Sequence, residues 1–427
     1  MTLRVWVNDT PVGRIERNGR GMSFAYDPGV DPAHAIAISM PPRVSSYDQR
    51  RGLLPVFDTN LPEGYLREAL HKYLAKERGQ VSDYDILEVV GGNMIGRLRV
   101  LPEGQEPERR MNITDIDAIL ARPATSDLIS EVISRYGFRS GVSGAMPKAL
   151  VSREDEARRK TIQTRGHILK FDAPEFPGLS LNEFWCLEAA RAAGCRVVSA
   201  ALGENRDMLC VERFDATADG QRYGFEDVAS LNALRSEEKY GASMEKGLFR
   251  TMSEVLKGSP DARADMAELY RQVITTIALR NGDAHLKNFG VLYEDAQRGP
   301  VRLTPAYDLV TTTVYIRNDL MAMMLGGSTR WPKPQALELL GARAGLSRQD
   351  ARAIMSEVAT GIRSTLPAMI AAFEDQRMGD LGQSIAAAWN EGLTMSLGAA
   401  PVDLAAEDPF AQATSEPASD PTKAYDR

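Results

Sequence analysis

The sequence is poor in the residues that build metal centres and disulfide frameworks. Its 427 residues include 3 cysteines and 4 histidines. Cys186, Cys195 and Cys210 form no CxxC pair, and His34, His71, His167 and His285 lie far apart. That spacing argues against a zinc site or a disulfide scaffold, and the sparse, odd cysteine count fits reduced thiols. A basic excess is also missing: 51 Lys plus Arg face 58 Asp plus Glu, a net charge of −7. A free-standing nucleic-acid binder usually shows the opposite balance. No apolar run reaches the roughly 18 residues that a membrane-spanning helix needs. The best stretch, 385–406, is interrupted by Asn390, Glu391 and Asp403. The opening MTLRVWVNDT carries Arg4 and Asp9 and has no apolar h-region, so no secretory leader is expected. These absences point to a cytoplasmic protein without a membrane span. What is present is ordinary globular composition, 43% hydrophobic and 26% charged, over enough chain for two to three domains.

The first hundred residues read as short strands. Leu3–Val7 alternates apolar with polar residues, Asn8-Asp9 turns, and Val12–Glu16 returns. Asn18-Gly19 turns again before Met22–Tyr26. After Thr59, Leu66, Leu70, Tyr73 and Leu74 recur at helical spacing. The stretch Ile86–Leu101, with Gly91-Gly92 and Gly96, predicts a strand pair or a tight bend. Glu103–Arg110 is charged, contains Pro107 and reads as a linker. Two short helices capped by Thr114 and Ser126 follow, then a small-residue loop at Ser140–Lys148 and a charged hairpin tip at Ser152–Gly166. His167–Phe171 reads as a strand. Leu181–Ala193 reads as a helix, with Asn182 as a candidate cap and Gly194 as its stop. Met266, Leu269, Val273 and Ile277 mark the clearest helix, Asp261–Arg280, which Asn281-Gly282 ends. The strands Phe289–Tyr293 and Val301–Thr304 come next, and Ala351, Met355, Val358, Ile362 and Leu366 mark another helix. Four prolines (Pro401, Pro409, Pro417 and Pro421) among small and acidic residues from Pro401 onward predict a disordered tail.

The chemistry concentrates just after the clearest helix. In Asn281-Gly-Asp283-Ala-His285-Leu-Lys287-Asn288, an Asp and an Asn stand five residues apart on one loop. Phosphoryl transfer uses such a pair: the Asp accepts a hydroxyl proton while the Asn holds magnesium. Alone, the spacing also fits a polar loop that ends a helix. Tyr307-Asp308 changes the balance. It stands twenty residues past Asn288 and beyond a two-strand hairpin, where a second metal carboxylate belongs. Lys170 ends the apolar strand HILKF and is either snorkelling or neutralising phosphate charge. Ser140-Gly-Val-Ser143-Gly-Ala-Met146-Pro-Lys148 offers small residues whose backbone could approach phosphates, but it is not a P-loop. Cys210–Asp215 ends a strand at the place in the order where an adenine-contacting hinge belongs.

These blocks together resemble the HipA family of serine/threonine kinase toxins from bacterial toxin–antitoxin modules. The resemblance extends over roughly residues 1 to 375. It rests on Ser39-Met40-Pro41, FDTNLPEGYLREAL (57–70), SGAMPK (143–148), HILK (167–170), NEFWCLEAARAAG (182–194), VERFD (211–215), GDAHLKN (282–288) and TPAYDL (304–309).

The resemblance implies an α/β (α+β) fold of two protein-kinase-like lobes, with a β-rich N-terminal subdomain and a large helical C-terminal lobe. The expected divisions are 1–103 for the N-terminal subdomain, 111–215 for the rest of the small lobe, 216–395 for the catalytic lobe and 396–427 for the tail. It also implies ATP and Mg2+ as cofactors. Asp283 is then the catalytic base, and Asn288 and Asp308 hold magnesium. Lys170 contacts phosphate, and Ser143, Gly144, Ala145, Met146, Pro147 and Lys148 form the phosphate loop. The backbone of Glu212, Arg213 and Phe214 lines the adenine site, and His285, Lys287, Asn288 and Tyr307 line the nucleotide. Departures stand out. The family usually has Gln where Met146 stands, and G-x-D where Gly92-Asn93 stands. The loop serine that some members autophosphorylate aligns with Gly141, leaving Ser143 and Ser140 as candidates. The implied activity is transfer from ATP to a protein hydroxyl, by family likeness in an aminoacyl-tRNA synthetase, which would inhibit translation and growth. The implied partner is a helix-turn-helix antitoxin through which DNA is contacted indirectly. Two rival readings are a small-molecule kinase of the aminoglycoside-phosphotransferase type and a non-catalytic co-repressor.

Overall fold

Alternation along Leu3, Val5 and Val7, all buried, with half-buried Arg4 and Trp6, makes β1 (Thr2–Val7) an interior strand of a sheet with one covered face. The computed structural model describes residues 2–63, 67, 70–71, 74–75, 78–107, 116–125, 127–128, 148–152, 166–172, 176–216 and 221–402. β1 pairs antiparallel with β2 (Thr10–Asn18) and, on its other side, with β5 (Leu98–Pro102). β3 (Gly21–Tyr26) and β4 (Tyr47–Gln49) complete the order β4-β3-β2-β1-β5. Helix α1 (Asp83–Val90) supplies Ile86, Leu87 and Val90 to the core this sheet covers.

That helix corrects the expectation for Ile86–Leu101, which is not a strand pair. It is the end of α1, a turn of 3₁₀ helix at Gly91–Asn93, and β5. A capping box starts α1: the Ser82 amide donates to Asp85 Oδ2 at 2.7 Å. The helix after Thr59 lies largely outside the described residues, as do Thr114 and Ser126. Ile116–Leu120 is helical.

A second antiparallel sheet runs β6-β7-β9-β8, from β6 (Lys148–Ser152), β7 (Gly166–Phe171), β8 (Ala200–Leu202) and β9 (Met208–Glu212). A third, β10-β11-β12, comprises β10 (Gly224–Asp227), β11 (Gly290–Tyr293) and β12 (Val301–Leu303). Helix α2 (Leu179–Ala192) follows β7. Its predicted cap is corrected: the N-cap is Gly178, and the Asp172 carboxylate accepts from the amides of Gly178 and Ser180, each at 2.7 Å. Three further helices build the large lobe: α3 (Ala262–Ala278), α4 (Arg348–Asp375) and α5 (Gly379–Glu391). Their apolar faces join α2 in one core around Phe249, Tyr270, Phe373 and Trp389. Gly361 lets α4 approach the end of α2 closely, since a Cβ there would stand 2.2 Å from the Ala192 carbonyl oxygen.

The expected tail also needs correction at its start. Ser396 is buried and accepts from Arg280 Nη1 at 3.2 Å. Val402 is buried as well, and Asn390 clamps its backbone from both sides, accepting from the amide at 2.9 Å and donating to the carbonyl at 3.2 Å. Residues beyond 402 lie outside the described residues. The three cysteines are free and buried, and burial pushes the Cys186 thiol up to about 12.

Candidate active site between the lobes

Lys170 is the last but one residue of β7, and its side chain points inward rather than snorkelling. Its ammonium donates to Glu183 Oε1 at 2.5 Å and to Asp308 Oδ1 at 2.6 Å. Burial works against this charge, but Asp308 and Glu183 outweigh it and hold the ammonium above the ordinary lysine range. Glu183 sits on the first turns of α2, so the pair joins strand to helix across the small lobe. Asn182 fixes that helix from beneath. Its amide oxygen accepts from the Thr311 amide at 3.0 Å, and its nitrogen donates to the Thr311 carbonyl at 3.1 Å.

Asp308 lies past β12 in the left-handed region, with φ +59°. A non-glycine residue held there is strained, and such strain collects where a side chain must be aimed. Lys170 takes one oxygen of its carboxylate, and Asn288 Nδ2 donates to the other at 3.1 Å. Asn281 Nδ2 donates to the Asp308 carbonyl at 3.4 Å. The structure thus brings Lys170, Asn288 and Asp308 together from three segments.

The loop that carries Asp283 begins where α3 ends. Arg280, in the left-handed region at φ +57°, reverses the chain. Gly282 follows where no side chain fits, because a Cβ would stand 2.1 Å from Asp319 Oδ2. Its amide donates to Thr312 Oγ1 at 2.7 Å. Asp283 therefore projects from a fixed base. Its side chain reaches solvent, yet the enclosing protein raises its pKa. Burial is the main cause, with Asp308 adding to it, while a hydrogen bond from Tyr240 opposes it.

Other expected site residues sit differently. The Lys287 ammonium lies 2.6 Å from Glu63 Oε1 and 3.3 Å from Ser236 Oγ, so its charge is neutralised inside the protein. His285 is buried, and burial with nearby Lys239 pushes it down to about 3, so it is neutral at physiological pH. It orients the loop through its amide, which donates to Asn288 Oδ1 at 2.9 Å. The Glu212 and Arg213 amides donate to Ser199 and Gly166, both at 2.8 Å. The Phe214 ring lies 5.3 Å from that of Tyr307, whose hydroxyl donates to the Lys287 carbonyl at 2.8 Å. Lys148 pairs with Lys170 in register. Ser140, Ser143, Gly144, Ala145, Met146 and Pro147 lie outside the described residues.

Sequence reasoning missed three participants. Glu183 was inside a quoted block, and an acid on the helix after a buried strand lysine was the available signal. Tyr240, whose hydroxyl donates to Asp283 Oδ1 at 2.9 Å, carried none. Nor did Glu63, which reaches the Asp283–Asn288 loop from the N-terminal sheet domain and pairs with both Lys239 and Lys287. Among the described residues no group of three or more His, Cys, Asp or Glu side chains is placed to hold a metal ion, and none of their helices is long and apolar enough to cross a membrane.

Two lobes, a buried lysine anchored by a helix glutamate, and an Asp–Asn loop facing a second Asp define a protein of the kinase class. A sequence profile of the HipA N-terminal domain matches residues 3–101, and one of the HipA-like C-terminal domain matches residues 140–366. Y4mE of Sinorhizobium fredii, a protein with a kinase designation, is 31% identical over 354 residues, 76% of this chain and 80% of that protein. Y4dM of the same organism, similarly designated, is 30% identical over 289 residues, 62% of this chain and 64% of that one. A chain from the solved Shewanella oneidensis complex of HipA, HipB and operator DNA superposes with a TM-score of 0.62 at 17% identity. The match covers 93% of this chain and 98% of that one. The chain belongs to the HipA family.

Proposed function

We propose that this HipA-family protein is a serine/threonine protein kinase that uses ATP and magnesium, and that its activity inhibits growth. The observation that carries the reading is the Lys170–Asp308–Asn288 cluster, with Glu183 behind the lysine and Asp283 on the same loop as Asn288. Each part has a separable task in phosphoryl transfer, where positioning and charge stabilisation supply most of the rate.

Lys170 supplies a fixed positive charge for nucleotide phosphates. Asp308 and Asn288 fit a magnesium ion. Both offer hard oxygens, the Asp308 side chain is 39% exposed, and magnesium needs only one or two protein ligands beside phosphate and water. When bound, that ion would neutralise charge on the β- and γ-phosphates. Asp283 is the base that accepts the acceptor's hydroxyl proton, and its raised pKa moves it toward the operating pH. Glu212 to Phe214 border the adenine end, and 143–148 cover the phosphates.

The acceptor is a protein hydroxyl, with an aminoacyl-tRNA synthetase as the target class by family likeness. The N-terminal domain, which reaches the catalytic loop through Glu63, supports a protein kinase over a metabolite kinase. The partner is a helix-turn-helix antitoxin, supported by the fold likeness to a chain from a complex with HipB and operator DNA. Labelled-ATP transfer to lysate proteins, with growth after induction, tests the reading. Wild type should label a protein band and slow growth. Asp283→Asn, equally expressed, should do neither, and equal labelling by both would refute the assignment.

A further inference from the structure

The Asp283 carboxylate already has a hydroxyl on it. Tyr240 donates its phenol O–H to Asp283 Oδ1 at 2.9 Å. A base that activates a hydroxyl must lie about 2.6–3.2 Å from it, so the phenol oxygen stands at the distance and with the donor polarity that a substrate hydroxyl would have. Tyr240 is not there as a core residue, since it is 53% exposed. Its ring lies 5.3 Å from the His285 ring, edge to face, and the Lys239 ammonium lies 5.2 Å from its centroid.

The backbone around Tyr240 is held on both sides. Before it, the Ser236 amide donates to Asp58 Oδ2 at 2.6 Å and Lys239 pairs with Glu63, both contacts reaching the N-terminal domain. After it, the Gly241 amide donates to the Ala322 carbonyl at 2.7 Å, and the Ala322 amide donates to Gly282 at the same distance. Tyr240 is thus tied through Ala322 to the loop that carries Asp283. With the backbone fixed, what can yield is the exposed side chain, which turns about two torsions.

We propose that Tyr240 marks the acceptor subsite: its phenol occupies the substrate hydroxyl's position on Asp283, and a protein acceptor must displace it. The inference rests on the reading of Asp283 as the base. In the transfer, the acceptor oxygen bonds to the γ-phosphorus of ATP as the bond to the bridging oxygen breaks. ADP leaves, and the acceptor proton passes to Asp283. While the phenol holds Oδ1, an incoming hydroxyl competes for it, so Tyr240 raises the apparent KM for the acceptor and not for ATP.

The test uses the full chain, MgATP, and dephosphorylated casein and water as acceptors, comparing wild type, Tyr240→Phe and Asp283→Asn. Phenylalanine keeps the ring and removes the donor, at a position exposed enough to leave folding intact. Tyr240→Phe should lower the casein KM about fivefold, the factor matching a net hydrogen bond of about 1 kcal/mol, with kcat and the KM for ATP unchanged. An unchanged or higher casein KM would overturn the proposal. So would a fall in kcat, which would make Tyr240 a residue that positions Asp283. If wild type and Asp283→Asn alike transfer phosphate to neither casein nor water, the kinase reading itself fails and the subsite with it.

Discussion

Glu63→Gln isolates one charge on which the joint between the N-terminal domain and the catalytic loop depends. Glu63 faces two ammonium groups, Lys287 and Lys239, whose side chains are only 8% and 9% exposed. Burial alone would raise its carboxyl pKa, but the two lysines outweigh that and bring it from 4.5 down to about 2. Each pKa step is worth 1.36 kcal/mol, so this drop corresponds to about 3 kcal/mol of stability at neutral pH. A folded-state pKa below the unfolded one means the contribution is present in full above the unfolded value. It fades as pH falls through 4.5 toward 2, and the same linkage leaves about 2 kcal/mol at pH 3.5. Glutamine keeps the volume, but its one oxygen can accept from only one of the two lysines and its NH2 faces the other, so the variant removes the charge without opening a cavity. Urea denaturation at pH 7 and pH 3.5 should show Glu63→Gln less stable by about 3 and about 2 kcal/mol respectively. A difference under about 1 kcal/mol at pH 7, or one that grows on acidification, would refute the reasoning.

Glu183→Gln leaves Lys170 with Asp308 alone, so the fold should survive with a loss of about 2 kcal/mol, below the range for a fully unpaired buried charge. Phosphoryl transfer should fall about 100-fold as the ammonium loses its fixed position, and undiminished turnover would count against the lysine's assigned task. Two truncations test the corrected C-terminal boundary. Ending the chain after Val402 should leave nucleotide affinity and thermal stability unchanged. Ending it after Ala400 removes both backbone hydrogen bonds to Asn390 and should cost about 1–2 kcal/mol by calorimetry. Equal stability of the two would show that the Asn390 clamp contributes nothing.

Local signals carried most elements of the fold. β1 to β3 follow from two-residue alternation broken at Asn8-Asp9 and Asn18-Gly19, and α3 follows from one apolar face. The misreadings share a physical cause. At Ile86–Leu101 the glycine pair marks only the turn that ends a helix, which a capping box upstream starts at Asp83. Asn182 has the chemistry of a helix cap, yet its amide ties α2 to Thr311, a partner 129 residues away. At the C-terminus, composition pointed to disorder, but Arg280 on Ser396, Arg363 on the Ala400 carbonyl, and Asn390 on the backbone of buried Val402 hold residues 396–402 down.

The site was legible to the extent that its residues act through short spacing. Asp283 and Asn288 share a loop, and Asp308 follows a hairpin, so a linear motif carries all three. Lys170 was hard to assign from sequence because a lone strand-end lysine fits snorkelling better than it fits a phosphate contact. Its burial between the Glu183 and Asp308 carboxylates rules out snorkelling, since a snorkelling lysine would not be 5% exposed. Lys287 shows the reverse case. Its place in the motif assigned it to the nucleotide, but Glu63, 224 positions earlier, neutralises it. A linear motif names the residues that share a loop but not which of their charges remain available to a ligand. That depends on what the rest of the chain brings against them. Here the N-terminal domain brings Asp58 and Glu63 against the segment leading to Tyr240. The surroundings of Asp283 are therefore shaped by residues on both sides of the domain boundary, so under the proposed reading the N-terminal domain borders the acceptor's approach.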